Sequence, residues 1–354
     1  MFDSDPSTPD PARLSALVDA LSRLAPRSRD AGPWASGAFE LFADAGLLAG
    51  FVPADAGGTG ASEGALLDAL VAVASACLTG ALALTQWASA CRIVALGPAE
   101  LRARMLPRLA RGDETTTVGI AQLTTSRRHL GAPALRAVAC PGGTRLRGTC
   151  PWVTGADAVD TIVTGGACDD GTTAFFVVPA GAAGLTVGPP LPLLALAGSR
   201  TAAVGFDDVA PAATIRPEGA AGARTGGLAT TALALGAARG SLALLRGEAA
   251  ARPGLGPAVD GFAAEIDRLA GRLRAAGDDA GTPPEVRDAL RTAATGLCLR
   301  VAQGALVAAK GTGFVAGHPA GRAATEALLF LVWSCPHQVA SAVLCDLAQL
   351  DAPA

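Results

Sequence analysis

Residues Gly148 to Gly166 read GTCPWVTGADAVDTIVTGG, and Trp152-Val153-Thr154 within them sets an indole and a hydroxyl two positions apart in a β-prone run. Side chains alternate along a strand, so this spacing predicts that Trp152 and Thr154 face the same way. Such a pair can stack on one planar ring system and hydrogen-bond its edge. Runs of similar texture surround it across 116–211: VGIAQLTT, ALRAVA, TAFFVVP, GLTVG and TAAVGFDDV, each bounded by turn residues. Several short strands at this spacing indicate a sandwich or barrel.

Helical patterns lie on both sides of the strands. Between Pro33 and Leu48, the residues Trp34, Phe39, Leu41, Phe42, Leu47 and Leu48 recur at mostly helical spacing, with Gly46 and Gly50 as stop signals. The stretch GPAELRARMLPRLARGD repeats Leu101, Met105, Leu106 and Leu109 at the same period, with Gly112 near its end. Ala69 to Cys91 carries no charge and is long enough to span a bilayer. Its Ala, Ser, Thr and Gly content, with Gln86 inside, reads instead as a buried helix, or as a helix pair broken near Gly80. Gly57-Gly58-x-Gly60 lacks the preceding strand and longer glycine pattern of a phosphate loop, so it reads as a turn. From Gly226 to Leu350, Ala/Leu-rich segments are punctuated at Arg252-Pro253-Gly254, at Gly281 to Pro284 and at Gly311 to Pro319, which predicts an antiparallel bundle of four or more helices. The expected architecture is therefore α+β and multidomain: an N-terminal helical domain over 1–115, a middle β-barrel or sandwich domain over 116–215, and a C-terminal helical bundle over 222–352.

Composition narrows the function. A chain of 354 residues can bury two or three compact units. Its 28 basic and 31 acidic residues are interspersed, leaving no basic stripe for nucleic acid. Eight cysteines without a CxxC spacing, and only three histidines, give no zinc site. The cysteines read as reduced thiols of a cytoplasmic protein. The N-terminal MFDSDPSTPDPARL has acids and prolines where a signal peptide needs a basic start and an apolar run.

Four segments, FELFADAGLLAGFVPADAGGTGAS, GPAELRARMLPRLARGD, TRLRGTCPWVTGADAVDTIVTGG and GLTVGPPLPLLALAGSRTAAVGFDDVAPAATI, resemble the acyl-CoA dehydrogenase family in order along the chain. The resemblance implies helical, β and helical regions, bound FAD, an acyl thioester substrate carried on coenzyme A, and an oligomer whose cofactor site spans two subunits. Carried over by position, Thr124, Trp152 and Thr154 are the implied flavin contacts. Gln338 falls near the pyrophosphate and adenosine end, Arg252 reaches across the dimer interface, and Gly311 and Gly313 form the turn that approaches a neighbour's FAD.

The departures from the family are as informative. After Thr124 its acidic, glycine-rich turn becomes Thr125-Ser126-Arg127-Arg128-His129, where two guanidiniums either clamp a phosphate or carboxylate or sit on a solvated loop. Val307 replaces a family glutamine and Lys310 a family glycine, which is expected to weaken FAD binding. Ser334 stands where the family has its catalytic glutamate, and the second base location falls near Gly226-Gly227, so neither position carries an acid. A serine needs a base or metal beside it to lose its proton near neutral pH. Glu326 reads as a solvated or interface carboxylate, Asp207 and Asp208 as turn acids, His337 as a structural or exposed histidine that becomes a base only if it faces the flavin, and Cys335 as a thiol without a histidine partner. Trp333 reads as a core tryptophan or as packing around substrate or flavin. The histidine of the family's monooxygenase branch has no counterpart in TEALLFLVW. Three functions stay open: an acyl thioester oxidoreductase with an altered or partner-supplied base, acting as a homo-oligomer or heteromer; a catalytically degenerate structural subunit paired with a base-bearing homologue; and an oxygen-using flavin enzyme.

Overall fold

The computed structural model describes residues 10–24, 37–124, 134–217 and 227–350. Its first helical stretch holds α1 (Pro11–Leu24), α2 (Ala38–Asp44), α3 (Leu47–Gly50), α4 (Glu63–Ala76), α5 (Leu78–Ala95) and α6 (Ala99–Arg111). Gly46, at φ 72°, separates α2 from α3 in a conformation that costs glycine nothing. Ser62 caps α4 by accepting from the Ala65 amide at 3.2 Å. The charge-free run is a helix pair, and its break falls at Cys77 rather than at Gly80. Cys77 is extended (φ −149°, ψ 95°), and its Sγ accepts the Gly80 amide as the cap of α5. In α6, Leu101, Met105, Leu106 and Leu109 form the buried face that their spacing predicts, and Gly112 ends the helix at φ 77°. Gly57 to Gly60 is a tight turn: a Cβ on Gly58 would lie 2.0 Å from the Val52 carbonyl oxygen, so this backbone packs on its own chain.

The strands are β1 (Thr116–Gly119), β2 (Leu135–Cys140), β3 (Gly143–Val153), β4 (Thr161–Cys168), β5 (Thr173–Pro179), β6 (Leu185–Pro190), β7 (Ala202–Val209) and β8 (Ala213–Ile215), with the short helix α7 (Ala121–Thr124) after β1. They form one mixed sheet in the order β6-β7-β3-β2-β4-β5-β8. β1 and β2 run parallel to β4, and the other pairings are antiparallel. Alternation along β5 ties this sheet to the helices. Ala174, Phe176 and Val178 join the core of the β region with Leu146, Ile162 and Val204, whereas Phe175 and Val177 point into the helical core.

The second helical stretch comprises α8 (Leu228–Ala251), α9 (Gly256–Asp278), α10 (Pro284–Ala309), α11 (Pro319–Ala327), α12 (Leu329–Val332) and α13 (His337–Leu347), with a 3-10 turn over Lys310–Phe314 after α10. The helices before and after the strands share one hydrophobic core, in which Phe42, Leu67 and Trp87 meet Leu235, Leu297 and Phe330. Two glycines let α8 lie against α4: a Cβ on Gly236 would sit 2.4 Å from Ala74 Cβ, and one on Gly240 would sit 2.7 Å from the Ser75 carbonyl oxygen. By length and composition alone α8 and the 284–314 stretch are apolar enough to cross a membrane, and most of each apolar window is buried against the rest of the fold.

Candidate functional site

β3 carries Trp152, and Thr154 follows just beyond its end. β3 pairs irregularly with β7 between Cys150 and Val153 and ends at Val153, so Thr154 lies in the following turn. Trp152 is 48% exposed and Thr154 only 7%. The strand thus stops one residue before Thr154. The Thr154 hydroxyl lies 3.2 Å from Thr201 Oγ1, which lies 2.9 Å from Ser199 Oγ, and all three residues are buried. The Thr154 carbonyl accepts from Thr117 Oγ1 at 2.8 Å, fixing the turn to β1. An open indole beside a buried chain of hydroxyls fits a planar ring with polar edges, since stacking needs a free aromatic face and the edge needs donors and acceptors already in place.

Next to this pair, α7 is held by Gln122. Its Nε2 donates to the Gly165 carbonyl at 2.7 Å and more weakly to the Gly119 carbonyl and Thr164 Oγ1, and among the described residues the buried Oε1 finds no partner. Leu123 fills the space above Gly165, where a Cβ would come within 2.4 Å of its Cδ1. Gln122 and Leu123 therefore lock the segment that ends at Thr124, whose side chain lies outside the described residues. Arg127, Arg128, Trp34 and Gly226 also lie outside them.

A cleft of about 890 Å³ opens between the β region and the helices. Its walls come from the α4–α5 junction around Leu78, from Ala237 to Leu244 of α8, from the loop Leu193–Ala197, and from the chain between Gly313 and Leu328. Much of the wall is apolar. Leu196 and Arg200 flank the short turn between them with left-handed backbones (φ 61° and 46°), and the Asp157 carboxylate clamps Arg200. This loop thus presents Leu193–Ala197 to the cleft and Ser199 and Thr201 to Thr154. Among the described residues that line the cleft, Glu326 is the one carboxylate, and Arg322 Nε lies 3.8 Å from it.

The turn carrying Ser334 is built on a buried cation. Arg291 of α10 is 1% exposed; its Nη2 donates to the Trp333 carbonyl at 3.2 Å, and the guanidinium lies 5.5 Å from the centre of the Phe330 ring. Nε and Nη1 find no partner among the described residues. Burial pushes the guanidinium down to about 10. Ser334 is half-buried at φ 48°, and it does not line the cleft. Burial raises the Cys335 thiol, an effect that Arg291 opposes, and Cys298 is pushed up to about 12 by burial, so neither is a ready thiolate.

The remaining positions lie elsewhere in the helices. Arg252 ends α8, where it pairs with Glu248 and donates to the Ala308 carbonyl at the end of α10. Gly311 is exposed and Gly313 buried in the 3-10 turn that follows. Lys310 opens that turn at φ 54°, ψ −148°, a backbone that glycine tolerates and lysine does not. Gln338 and His337 are exposed in the first turn of α13. Asp208 lies within β7 at φ 56°, not in a turn, and pairs with Arg147 at 2.7 Å. Within one chain, then, Thr154 clusters with Thr201 and Ser199, while Arg252, Gly311 and Gly313 gather at the end of α10. All eight cysteines are free, and no group of metal-ligating side chains occurs among the described residues. Sequence reasoning missed Arg291, although it falls on the same helical face as Ala294, Cys298, Val301 and Ala305, and an arginine in an apolar stripe is itself a signal.

A helical region, a mixed sheet and a second helical region that closes on the first define the acyl-CoA dehydrogenase fold. Residues 20–113 match the N-terminal domain of the acyl-CoA dehydrogenases. Its fold is similar to that of butyryl-CoA dehydrogenase from Megasphaera elsdenii, with a TM-score of 0.82, 17% identity and 99% of each chain covered. It is similar also to FkbI, of methoxymalonyl extender unit biosynthesis, with a TM-score of 0.78 and 22% identity over 95% of this chain and 99% of that one. Dibenzothiophene monooxygenase (TdsC) from Paenibacillus sp. A11-2, whose FMN-bound form is also solved, gives a TM-score of 0.75 and 18% identity over 97% and 98%. No curated protein matches the sequence.

Proposed function

We propose that this protein is a flavin-binding oxidoreductase that takes an acyl thioester, and that its flavin is FAD. The observation that carries this reading is the loop Leu193–Thr201, which lines a cleft at one end and at the other fixes Thr154, two residues along the chain from the exposed Trp152. Trp152 would stack on the flavin ring and Thr154 would meet its edge. A bound flavin supplies the acceptor for two electrons. The cleft walls, including Leu78, Leu196 and Leu244, would exclude water from an acyl chain lying against them. The similar folds include a butyryl-CoA dehydrogenase and an FMN-bound monooxygenase, which supports a flavin in either chemical form. Exposed Phe314, Val315, Val332 and Leu344 on the C-terminal helices support assembly with further chains, and the reduced thiols support a cytoplasmic setting.

A second reading follows from Ser334 and Gly227, which leave both family base positions without an acid: the chain serves as a structural subunit of a heteromer. Anaerobic titration of the flavin-loaded protein with butyryl-CoA separates the two. Loss of the flavin's absorbance by the homo-oligomer supports the oxidoreductase. Loss that occurs only after a base-bearing homologue is added supports the structural subunit.

A further inference from the structure

Outside the two positions where the family keeps its base, the structure offers another carboxylate in a different place. Glu326 lies on the last turn of α11, and its side chain is 21% exposed. It opens on the same cleft as Leu78, Leu196 and Leu244. Its charge reaches the buried Cys298 thiol of α10, as does the charge of Arg291, the residue that holds the Trp333 carbonyl of the Ser334 turn. Arg322, one turn earlier on α11, pairs with it at 3.8 Å.

We propose that Glu326 is the proton acceptor of this cleft, so that the base has moved from the Ser334 turn to the last turn of α11. The proposal rests on the acyl thioester reading above. In the step it describes, the bond between the α-carbon and hydrogen of the thioester breaks, the proton passes to a Glu326 carboxylate oxygen, and the electron pair stays on the substrate as the thioester enolate. Return of a proton from solvent through the same carboxylate restores the thioester. This exchange consumes no oxidant, so it is observable apart from turnover.

The test is incorporation of deuterium at the α-carbon of butyryl-CoA in D2O, followed by NMR on the flavin-loaded full chain, with thioester binding measured alongside. Wild type is expected to exchange. Glu326→Gln should bind butyryl-CoA as wild type does while its exchange rate falls by about 100-fold or more, the scale of a general base. Glu326→Asp keeps the charge, and with it the pair to Arg322, but draws the carboxylate back by one methylene. It is expected to lose about tenfold or more, because misplacement by about 1 Å is costly in such sites, and it serves if the glutamine variant does not fold. Exchange at the wild-type rate in either folded variant overturns the assignment, as does a wild type that binds butyryl-CoA without exchanging. A wild type that binds no acyl thioester overturns the functional reading itself.

Discussion

Replacing Gly236 by alanine tests whether the close approach of α8 to α4 sets the cleft wall. The added methyl would begin 2.4 Å from Ala74 Cβ and 2.6 Å from the Val71 carbonyl oxygen, and ordinary contact starts at 3.4 Å, so the helices must part by about 1 Å. Neither neighbour can rotate away, since one is a Cβ and the other is backbone. Overpacking of this kind costs about 1–3 kcal/mol, against a helix-propensity gain of about 1 kcal/mol for removing glycine. Gly247 in the same helix has nothing within 4 Å of its position, so Gly247→Ala gains the propensity without the clash. In urea unfolding, Gly236→Ala should fall below Gly247→Ala by about 1–3 kcal/mol, and its affinity for butyryl-CoA should drop because Ala237 to Leu244 and Ala74 to Thr79 both line the cleft beside this contact. Equal stability of the two variants would refute the argument.

Two further outcomes follow from local strain and charge. Lys310→Gly should stabilise the protein by about 1 kcal/mol in the same assay, since a non-glycine residue in such a backbone costs about 1–3 kcal/mol and glycine returns part of that as chain entropy. Glu114 has its carboxyl raised above the usual range, first by burial and then by Asp160, with Arg108 opposing. A raised folded value means that the native state holds the proton more tightly, so this group's contribution to stability falls as pH rises through the range above 4.5. Glu114→Gln should therefore melt above wild type at pH 7 and converge with it in acid, a difference that thermal melts across pH 4–8 would read.

The helices were legible where one face is apolar and the ends are marked. The buried residues of α6 and its Gly112 cap match their spacing, and the breaks after Arg252, near Gly281 and after Lys310 fall where the punctuation put them. The break between α4 and α5 was misplaced because Cys77, with no glycine or proline signal, both extends the chain and caps the next helix with its sulfur. The site was harder to read because its contacts are long-range. Trp152 and Thr154 stood out by type, but their neighbours Ser199 and Thr201 come from a distant loop. Glu326 looked like a surface acid until α11 turned it into the cleft beside α8, and no local pattern marks such a placement. Arg291 carried a local signal, since its helical face is otherwise apolar.

Flavin binding at Trp152 is the claim on which the rest stands, and equilibrium titration of the apoprotein with FAD, and separately with FMN, tests it directly through flavin fluorescence. Saturable binding of FAD is expected, retained in Trp152→Phe, which keeps a stacking face, and weakened by about tenfold in Trp152→Ala, the loss of about 1–1.5 kcal/mol of aromatic contact. Tighter binding of FMN than of FAD would correct the cofactor but keep the site. Binding of neither flavin, or equal affinity in wild type and Trp152→Ala, would contradict the account.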